Sequence, residues 1–187
     1  MSELPDHLGG HLDKVHVDVG LLDFLKKRLD IKTMMDIGCG PGWQISLALA
    51  RGIDAFGIDG DFTIDFSSDV QDRITLYDFT QGSPDLSDEQ FDLAWSVEFL
   101  EHVEEEYMAN YMSVFQRCKY VVCTHATPDM PGHHHVNLQK ADYWIDRFEE
   151  YGFEYDYDRT VEIRAQSTMT KKFMQTSGLF FVRDRKS

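Results

Sequence analysis

The stretch Met34-Met-Asp-Ile-Gly-Cys-Gly-Pro-Gly-Trp43 sets three glycines, Gly38, Gly40 and Gly42, at alternate positions directly after a short apolar run that ends in Asp36 and Ile37. An apolar run that meets a bare turn predicts a strand whose tip lies open to a ligand. Glycine tolerates positive φ there and carries no side chain to hold a bound group away. Ile45, Ala48 and Leu49 fall on one helical face and Gly52 stands where a C-terminal cap would, so a helix is expected after the turn. The N-terminus of that helix offers N–H groups without intrahelical partners, which favour an anion. A tight turn that holds no ligand is the alternative for the same residues.

Two cofactor classes use such a turn, and spacing separates them. The dinucleotide fingerprint G-x-G-x-x-G/A needs a small residue where this chain has Trp43, because that position packs helix against strand. Trp43 therefore argues against NAD. The next apolar run, Asp54-Ala-Phe-Gly-Ile-Asp59, ends in a carboxylate 23 residues after Asp36. An acidic residue at a second strand end is placed to accept hydrogen bonds from a ribose diol. Asp59, with Gly60 beside it, is the candidate ribose site. A third run, Arg73-Ile-Thr-Leu-Tyr-Asp78-Phe79, also closes on a carboxylate, and a fourth segment follows as Phe91-Asp-Leu-Ala-Trp-Ser-Val-Glu-Phe-Leu-Glu-His-Val103.

The form acidic residue, x, Gly, x, Gly, x, Gly, followed in order by these three segments, resembles the class I S-adenosylmethionine-dependent methyltransferases, over roughly residues 30 to 184. The resemblance implies a doubly wound α/β sheet of seven mostly parallel strands with an antiparallel C-terminal strand inserted beside the fifth. It implies S-adenosylmethionine as cofactor and S-adenosylhomocysteine as product. Gly38, Gly40, Gly42 and Trp43 would then approach the methionine part, Asp36 would support the turn and receive the amino group, and Asp59 and Gly60 would hold the ribose. Asp78 and Phe79 would hold the adenine, with Trp95 and Ser96 of the fourth segment at the same crevice. The segment Gly132-His-His-His-Val-Asn137, with Trp144 and Gly152-Phe153 after it, resembles the region after the fifth strand in methyltransferases of glycan and small-molecule pathways.

A hydroxyl or protonated-amine acceptor needs a general base, and histidine titrates nearest neutrality. His102, in Glu101-His102-Val103, is one candidate and also fits a structural role at a helix start. His133, His134 and His135 are candidates on the acceptor side, with His135 preferred because it directly precedes an aliphatic residue, Val136. Three adjacent loop residues do not readily aim at one ion, so no metal site is assigned. The expected function is methyl transfer to a small-molecule or saccharide acceptor, at oxygen. The alternatives are a non-catalytic S-adenosylmethionine-binding subunit or sensor and, from the turn alone, an NAD-dependent oxidoreductase.

Composition sets further bounds. The 187 residues suit a single domain, and no apolar run approaches the ~20 residues of a membrane span. With an acidic N-terminus unlike a signal peptide, the expectation is a soluble, cytoplasmic protein. Cys39, Cys118 and Cys123 are odd in number and lack zinc-like spacing, which predicts free thiols. The net charge is −15, but residues 159 to 187 carry seven Lys or Arg against two acids, leaving −20 on residues 1 to 158. A field that negative repels a phosphate backbone and disfavours nucleic acid as a partner.

The remaining elements are read from periodicity. Val17, Leu21, Leu25 and Leu29 predict a helix before the turn, and Met108, Tyr111, Met112 and Phe115 another after the fourth strand. Tyr120 to Thr124 predicts a fifth strand. Asn137 is read as the N-cap of a helix carrying Tyr143, Trp144, Ile145 and Phe148. Phe153 to Tyr157 and Gly178 to Arg183 are read as the last two strands. For residues 160 to 174 a helix with Val161, Ala165 and Met169 on one face is preferred over a strand. The stretch His7-Leu-Gly-Gly-His11 to His16, within residues 1 to 16, fits either a lid over the crevice or a disordered leader.

Overall fold

A computed structural model describes residues 4–9, 15–86, 89–130 and 132–184. Helix α1 (Val19–Leu29) precedes strand β1 (Thr33–Ile37), which turns through the three glycines into α2 (Trp43–Ala50) and returns as β2 (Asp54–Asp59). Then come β3 (Ile74–Leu76), β4 (Phe91–Ser96), α3 (Met108–Phe115), β5 (Cys118–Cys123), α4 (Ala141–Glu150), β6 (Phe153–Tyr155), α5 (Tyr157–Gln166), α6 (Phe173–Ser177) and β7 (Leu179–Arg183).

The strands form one sheet in the order β3-β2-β1-β4-β5-β7-β6. β1 is parallel to both β2 and β4, while β7 runs antiparallel between β5 and β6. This is the expected doubly wound, mostly parallel sheet. It reverses direction of growth between β1 and β4, and at such a switch point a crevice opens outside the strand tips.

Both faces of the sheet are covered, which is why its central strands are continuously apolar. Alternate side chains of one strand serve two cores: Met35 and Ile37 pack with Tyr111, Phe115 and Phe148 on the α3 and α4 side, whereas Met34 packs with Leu22, Leu25 and Ile45 on the α1 and α2 side. Gly52, at φ 69, ends the α2 run as expected and donates its N–H to Leu49 O at 2.9 Å.

Three local readings are corrected. Asn137 caps no helix. It is buried with its N–H on Glu101 O, and α4 begins at Ala141 after Lys140. The helix read from residue 160 starts at Tyr157, because the Asp156 side chain accepts the Arg159 N–H at 2.8 Å and caps it. Its buried positions are Thr160 and Ile163 while Val161 is half exposed, so the inward face is rotated from the Val161, Ala165, Met169 stripe. Residues 167 to 172 leave the helix to meet the buried Asp18, which accepts bonds from the Ser167 hydroxyl and the Thr168 N–H (2.8 Å) and also caps α1. Finally, β5 opens at Cys118, two residues early, paired with Phe91.

Candidate active site

Residues from five strand tips and the N-terminal segment line a crevice of about 370 Å³ at the switch point. Its centre is the glycine turn. Gly38, Gly40 and Gly42 all take positive φ, at 73°, 50° and 81°. Gly38 needs its lack of a side chain for a second reason: a Cβ there would stand 2.5 Å from the Phe99 ring. The turn is pinned from β2, since Gly38 N–H donates to Ile58 O at 2.9 Å and Gly40 N–H donates to Asp59 Oδ2 at 2.7 Å. Asp59 Oδ1 accepts the Asp61 N–H at 2.9 Å. Asp59 thus holds the turn and lines the crevice.

Most sequence-predicted residues converge there. Asp36, Gly38, Gly40, Trp43, Asp59, Gly60, Asp78, Phe79, Trp95, His102, His133 and His135 all line the crevice. Three do not. Gly42 faces Val70 and Ile74 and serves as the N-cap position of α2. Ser96 is fully buried, its hydroxyl donating to Ile37 O at 2.9 Å and tying β4 to β1. His134, at φ 46, does not line the crevice; its Nε2 lies 3.6 Å from Glu104 Oε1.

The N-terminal segment also reaches the crevice. His7 Nε2 lies 3.1 Å from Asp78 Oδ2, and Leu8 presses on Gly60 so closely that a Cβ on that glycine would meet Leu8 at 2.5 Å. His16 lines the other side, edge-on to Phe173. His11 and Gly10 lie outside the described residues.

Carboxyl groups dominate the wall. Asp36, Asp59, Asp78, Glu98 and Glu104 line it, and no Lys or Arg does among the described residues. Burial pushes the Asp36 carboxyl well above its usual range, and the Asp59 charge adds to this. For Asp78 burial acts in the same direction, yet hydrogen bonds from Thr80 and from His7 outweigh it and hold the carboxyl below its ordinary value. Among the described residues no Lys or Arg of the basic C-terminal region lines the crevice; Arg164 donates to Gly178 O and Arg183 to Gln90. Arg185 and Lys186 lie outside the described residues.

At the acceptor end the segment after β4 meets the loop after β5. The Val136 and Asn137 N–H groups both donate to Glu101 O, at 2.9 and 3.1 Å. That clasp sets the rings of His102 and His135 edge to face, 4.8 Å between centroids. Burial, and then the neighbouring His135, push the His102 pKa down to about 4, so its imidazole is neutral at pH 7. Glu101 is completely buried. Burial and then the Glu98 charge push its carboxyl well above the usual range.

Sequence reasoning missed Glu98, Glu101, Phe99 and Met130. The first three stand in the segment whose pattern points to Trp95, Ser96 and His102, and the two acids among them are of the kind that so often begins helices on the surface. Met130 carries no signal short of the folded loop.

The model of the methyltransferase-domain family matches residues 35–127. Solved structures share the architecture at low identity. A TehB-like S-adenosylmethionine-dependent methyltransferase from Corynebacterium glutamicum is 18% identical with a TM-score of 0.63, covering 88% of each chain. Magnesium protoporphyrin IX methyltransferase from Synechocystis, with bound S-adenosylhomocysteine, is 18% identical at TM-score 0.61, covering 88% of this chain and 80% of that one. The methyltransferase domain of a bacterial Hen1 is 18% identical at TM-score 0.59, covering 89% and 96%. No curated protein sequence matches the chain significantly.

Proposed function

We propose that the chain is a class I S-adenosylmethionine-dependent methyltransferase, as its match to the methyltransferase-domain family supports, that the methyl acceptor is a neutral small molecule or carbohydrate-like compound, and that the methyl goes to oxygen. The observation that carries this reading is the wall of the crevice, with five carboxyl groups and no Lys or Arg among the described residues. Such a wall favours the sulfonium and ammonium charges of the cofactor. Among the described residues it offers no ammonium or guanidinium to a phosphate or carboxylate on the acceptor. A net charge of −15 argues the same way against a nucleic-acid backbone.

In this reading Gly38 and Gly40 lie along the methionine part, Asp36 receives its ammonium, and Trp43 covers it at the mouth. Asp59 and Gly60 hold the ribose, and Asp78, Phe79 and Trp95 enclose the adenine. Residues 4 to 9, latched by His7 to Asp78, act as a lid that keeps water from the sulfonium. The 187 residues work as one domain.

The sulfonium is already an activated donor, so holding the acceptor oxygen in line behind the methyl supplies ~7 to 11 kcal/mol of the barrier. The acceptor O–H gives its proton to a crevice histidine as its oxygen forms the new C–O bond. Bound S-adenosylmethionine would supply the methyl and take back the electron pair of its S–CH3 bond, so that a methyl ether and S-adenosylhomocysteine would be the products. His133 and His135 are the proton acceptors. His102, with a pKa of about 4, is too weak a base at pH 7.

The test is incubation with 13C-methyl S-adenosylmethionine and three acceptor pools: neutral glycosides and phenols, sugar phosphates, and RNA. A methoxyl carbon signal from the neutral pool alone is expected. Methylation confined to the phosphorylated pool or RNA, or a product with methyl on nitrogen, overturns the proposal.

A further inference from the structure

Glu101 has no evident task in the fold. It is completely buried on the turn after β4, and among the described residues no N–H or hydroxyl group donates to its carboxyl oxygens; the carboxyl of Glu98 stands beside it. The Glu98 charge and a hydrogen bond between the two carboxyls both favour its protonated form. Burying a carboxylate without a positive partner costs several kcal/mol. A carboxyl in such a position keeps its proton unless a cation takes the proton's place.

Two imidazoles stand at the same place. One ligand atom from each of Glu101, His102 and His135 lies within 4.8 Å of the other two. They come from two segments, Glu101 and His102 on the turn after β4 and His135 on the loop after β5, clasped by the Val136 and Asn137 N–H bonds to Glu101 O. His135 is oriented from behind: its Nδ1 lies 2.8 Å from Met130 O, and donation to that carbonyl leaves the lone pair on Nε2. An outer hydrogen bond to a backbone carbonyl is what fixes the tautomer and orientation of a metal-binding histidine. Gly132 supplies the room, since a Cβ there would stand 2.2 Å from His135 Nε2.

We propose that Glu101, His102 and His135 form a site for one divalent transition-metal ion of the zinc or cobalt type. Two imidazoles and a carboxylate suit such ions better than magnesium or calcium, which prefer oxygen ligands. Three protein ligands leave a position open, as in catalytic rather than structural zinc sites. A tetrahedron with bonds of about 2.0 to 2.1 Å has edges of roughly 3.3 Å, so side-chain rotations of about an ångström and a half at most draw the ligands onto the ion. Only one member of the His133-His134-His135 tract takes part, with partners some thirty residues earlier, and for that reason the tract by itself gave no metal geometry.

His102 and His135 line the crevice, so the open position faces the acceptor. An acceptor hydroxyl bound there would be acidified by the ion and held in line with the methyl. That use of the ion rests on the methyl-transfer reading above; the binding of the ion does not. With His102 and His135 engaged, His133 remains to take the proton.

The test uses the full chain without a histidine tag, stripped with chelator and titrated with Co2+ alone while visible absorption is followed. Saturation at one equivalent with the spectrum of a nitrogen-ligated ion is expected. Glu101→Gln and His135→Gln should each lose ~10²-fold or more in Co2+ affinity, since even outer partners of metal ligands are worth 10- to 100-fold. His133→Gln should bind as the wild type does. Glu101→Gln is isosteric and His135→Gln lies on a half-buried loop, so one of the two remains readable if the other folds poorly. Calorimetry with S-adenosylhomocysteine on the same samples reports the cofactor pocket separately, so failure of the metal site and failure of the cofactor assignment are distinguishable. Wild-type protein that takes up no Co2+, or variants that bind within threefold of wild type, overturn the proposal.

Discussion

Asp59 is the residue on which the cofactor assignment can be tested most sharply. Its carboxylate accepts the Gly40 N–H at 2.7 Å and the Asp61 N–H at 2.9 Å, so it is fixed before any ligand arrives and pays little ordering entropy on binding. Two ribose hydroxyls donating to its outer lone pairs would each contribute ~1.5 to 3 kcal/mol, the range for hydrogen bonds to a charged group. Replacement by alanine removes both, a loss of ~3 to 6 kcal/mol, or ~10²- to 10⁴-fold in affinity. Asp59→Asn retains one acceptor oxygen and should lose less, about 10- to 10²-fold, although its amide NH2 then faces an N–H donor of the turn. A gain opposes these losses, because removing the Asp59 charge relieves the buried Asp36 carboxyl. Calorimetry with S-adenosylhomocysteine measures the affinities, and thermal unfolding of the same samples reports whether the turn survives. An Asp59→Ala protein that melts like wild type and binds within threefold of its affinity would remove Asp59 from the cofactor site. Loss of binding in Asp59→Ala with full affinity in Asp59→Asn would refute the charge-assisted argument while keeping the contact.

Other substitutions probe the remaining parts. Gly38→Ala forces a Cβ to 2.5 Å from Phe99 at φ 73° and should destabilise the protein by about 3 kcal/mol, read by denaturant unfolding, with cofactor affinity lost alongside. The folded-state pKa of Asp36 is raised, so the folded protein holds a proton where the unfolded chain has released it, and stability falls as pH rises from about 4 toward the raised value. Asp36→Asn should therefore melt progressively higher than wild type as pH increases from 4 to 7, with little difference at pH 4; a constant offset across that range would show that Asp36 does not titrate as described. His133→Gln should lower kcat by 10²- to 10⁴-fold while leaving the affinity for S-adenosylhomocysteine unchanged, which single-turnover kinetics and calorimetry distinguish. His7→Ala removes the latch on Asp78 and should speed dissociation of S-adenosylhomocysteine in stopped-flow measurements, whereas an unchanged rate would leave residues 4 to 9 without a gating role.

What the sequence discloses is the part of the site carried by local pattern. The glycine turn, the carboxylates at Asp59 and Asp78, and the alternation of Phe91, Leu93 and Trp95 are each set by a few neighbouring residues, and in the fold the turn, Asp59, Asp78 and Trp95 meet at the C-terminal ends of adjacent strands. Ser96 and Gly42 were misplaced for a related reason. A residue at a strand or turn end has about equal opportunity to face the ligand or the neighbouring element, and here Ser96 is captured by Ile37 O and Gly42 by Val70 and Ile74. The acceptor end is different in kind, because its geometry depends on a long-range clasp. Glu101 offers a backbone oxygen to Val136 and Asn137, and through that contact a carboxylate read as a helix-start charge becomes the buried neighbour of two imidazoles. Asn137 shows the same effect from the other side, since a residue with strong N-cap character spends its N–H on Glu101 and yields the helix start to residues further on. Local propensity loses at both ends of this contact. A polar residue that gives up its ordinary local role is holding something else in position, and here that is the pairing of His102 with His135 beside a carboxylate. Breaking the clasp without touching a ligand tests this directly: Val136→Pro deletes one of the two N–H donors to Glu101 O and should weaken Co2+ binding by about 5- to 10-fold, equivalent to ~1 to 1.4 kcal/mol for one hydrogen bond. Undiminished affinity in that variant would mean that the two segments meet for reasons other than the clasp.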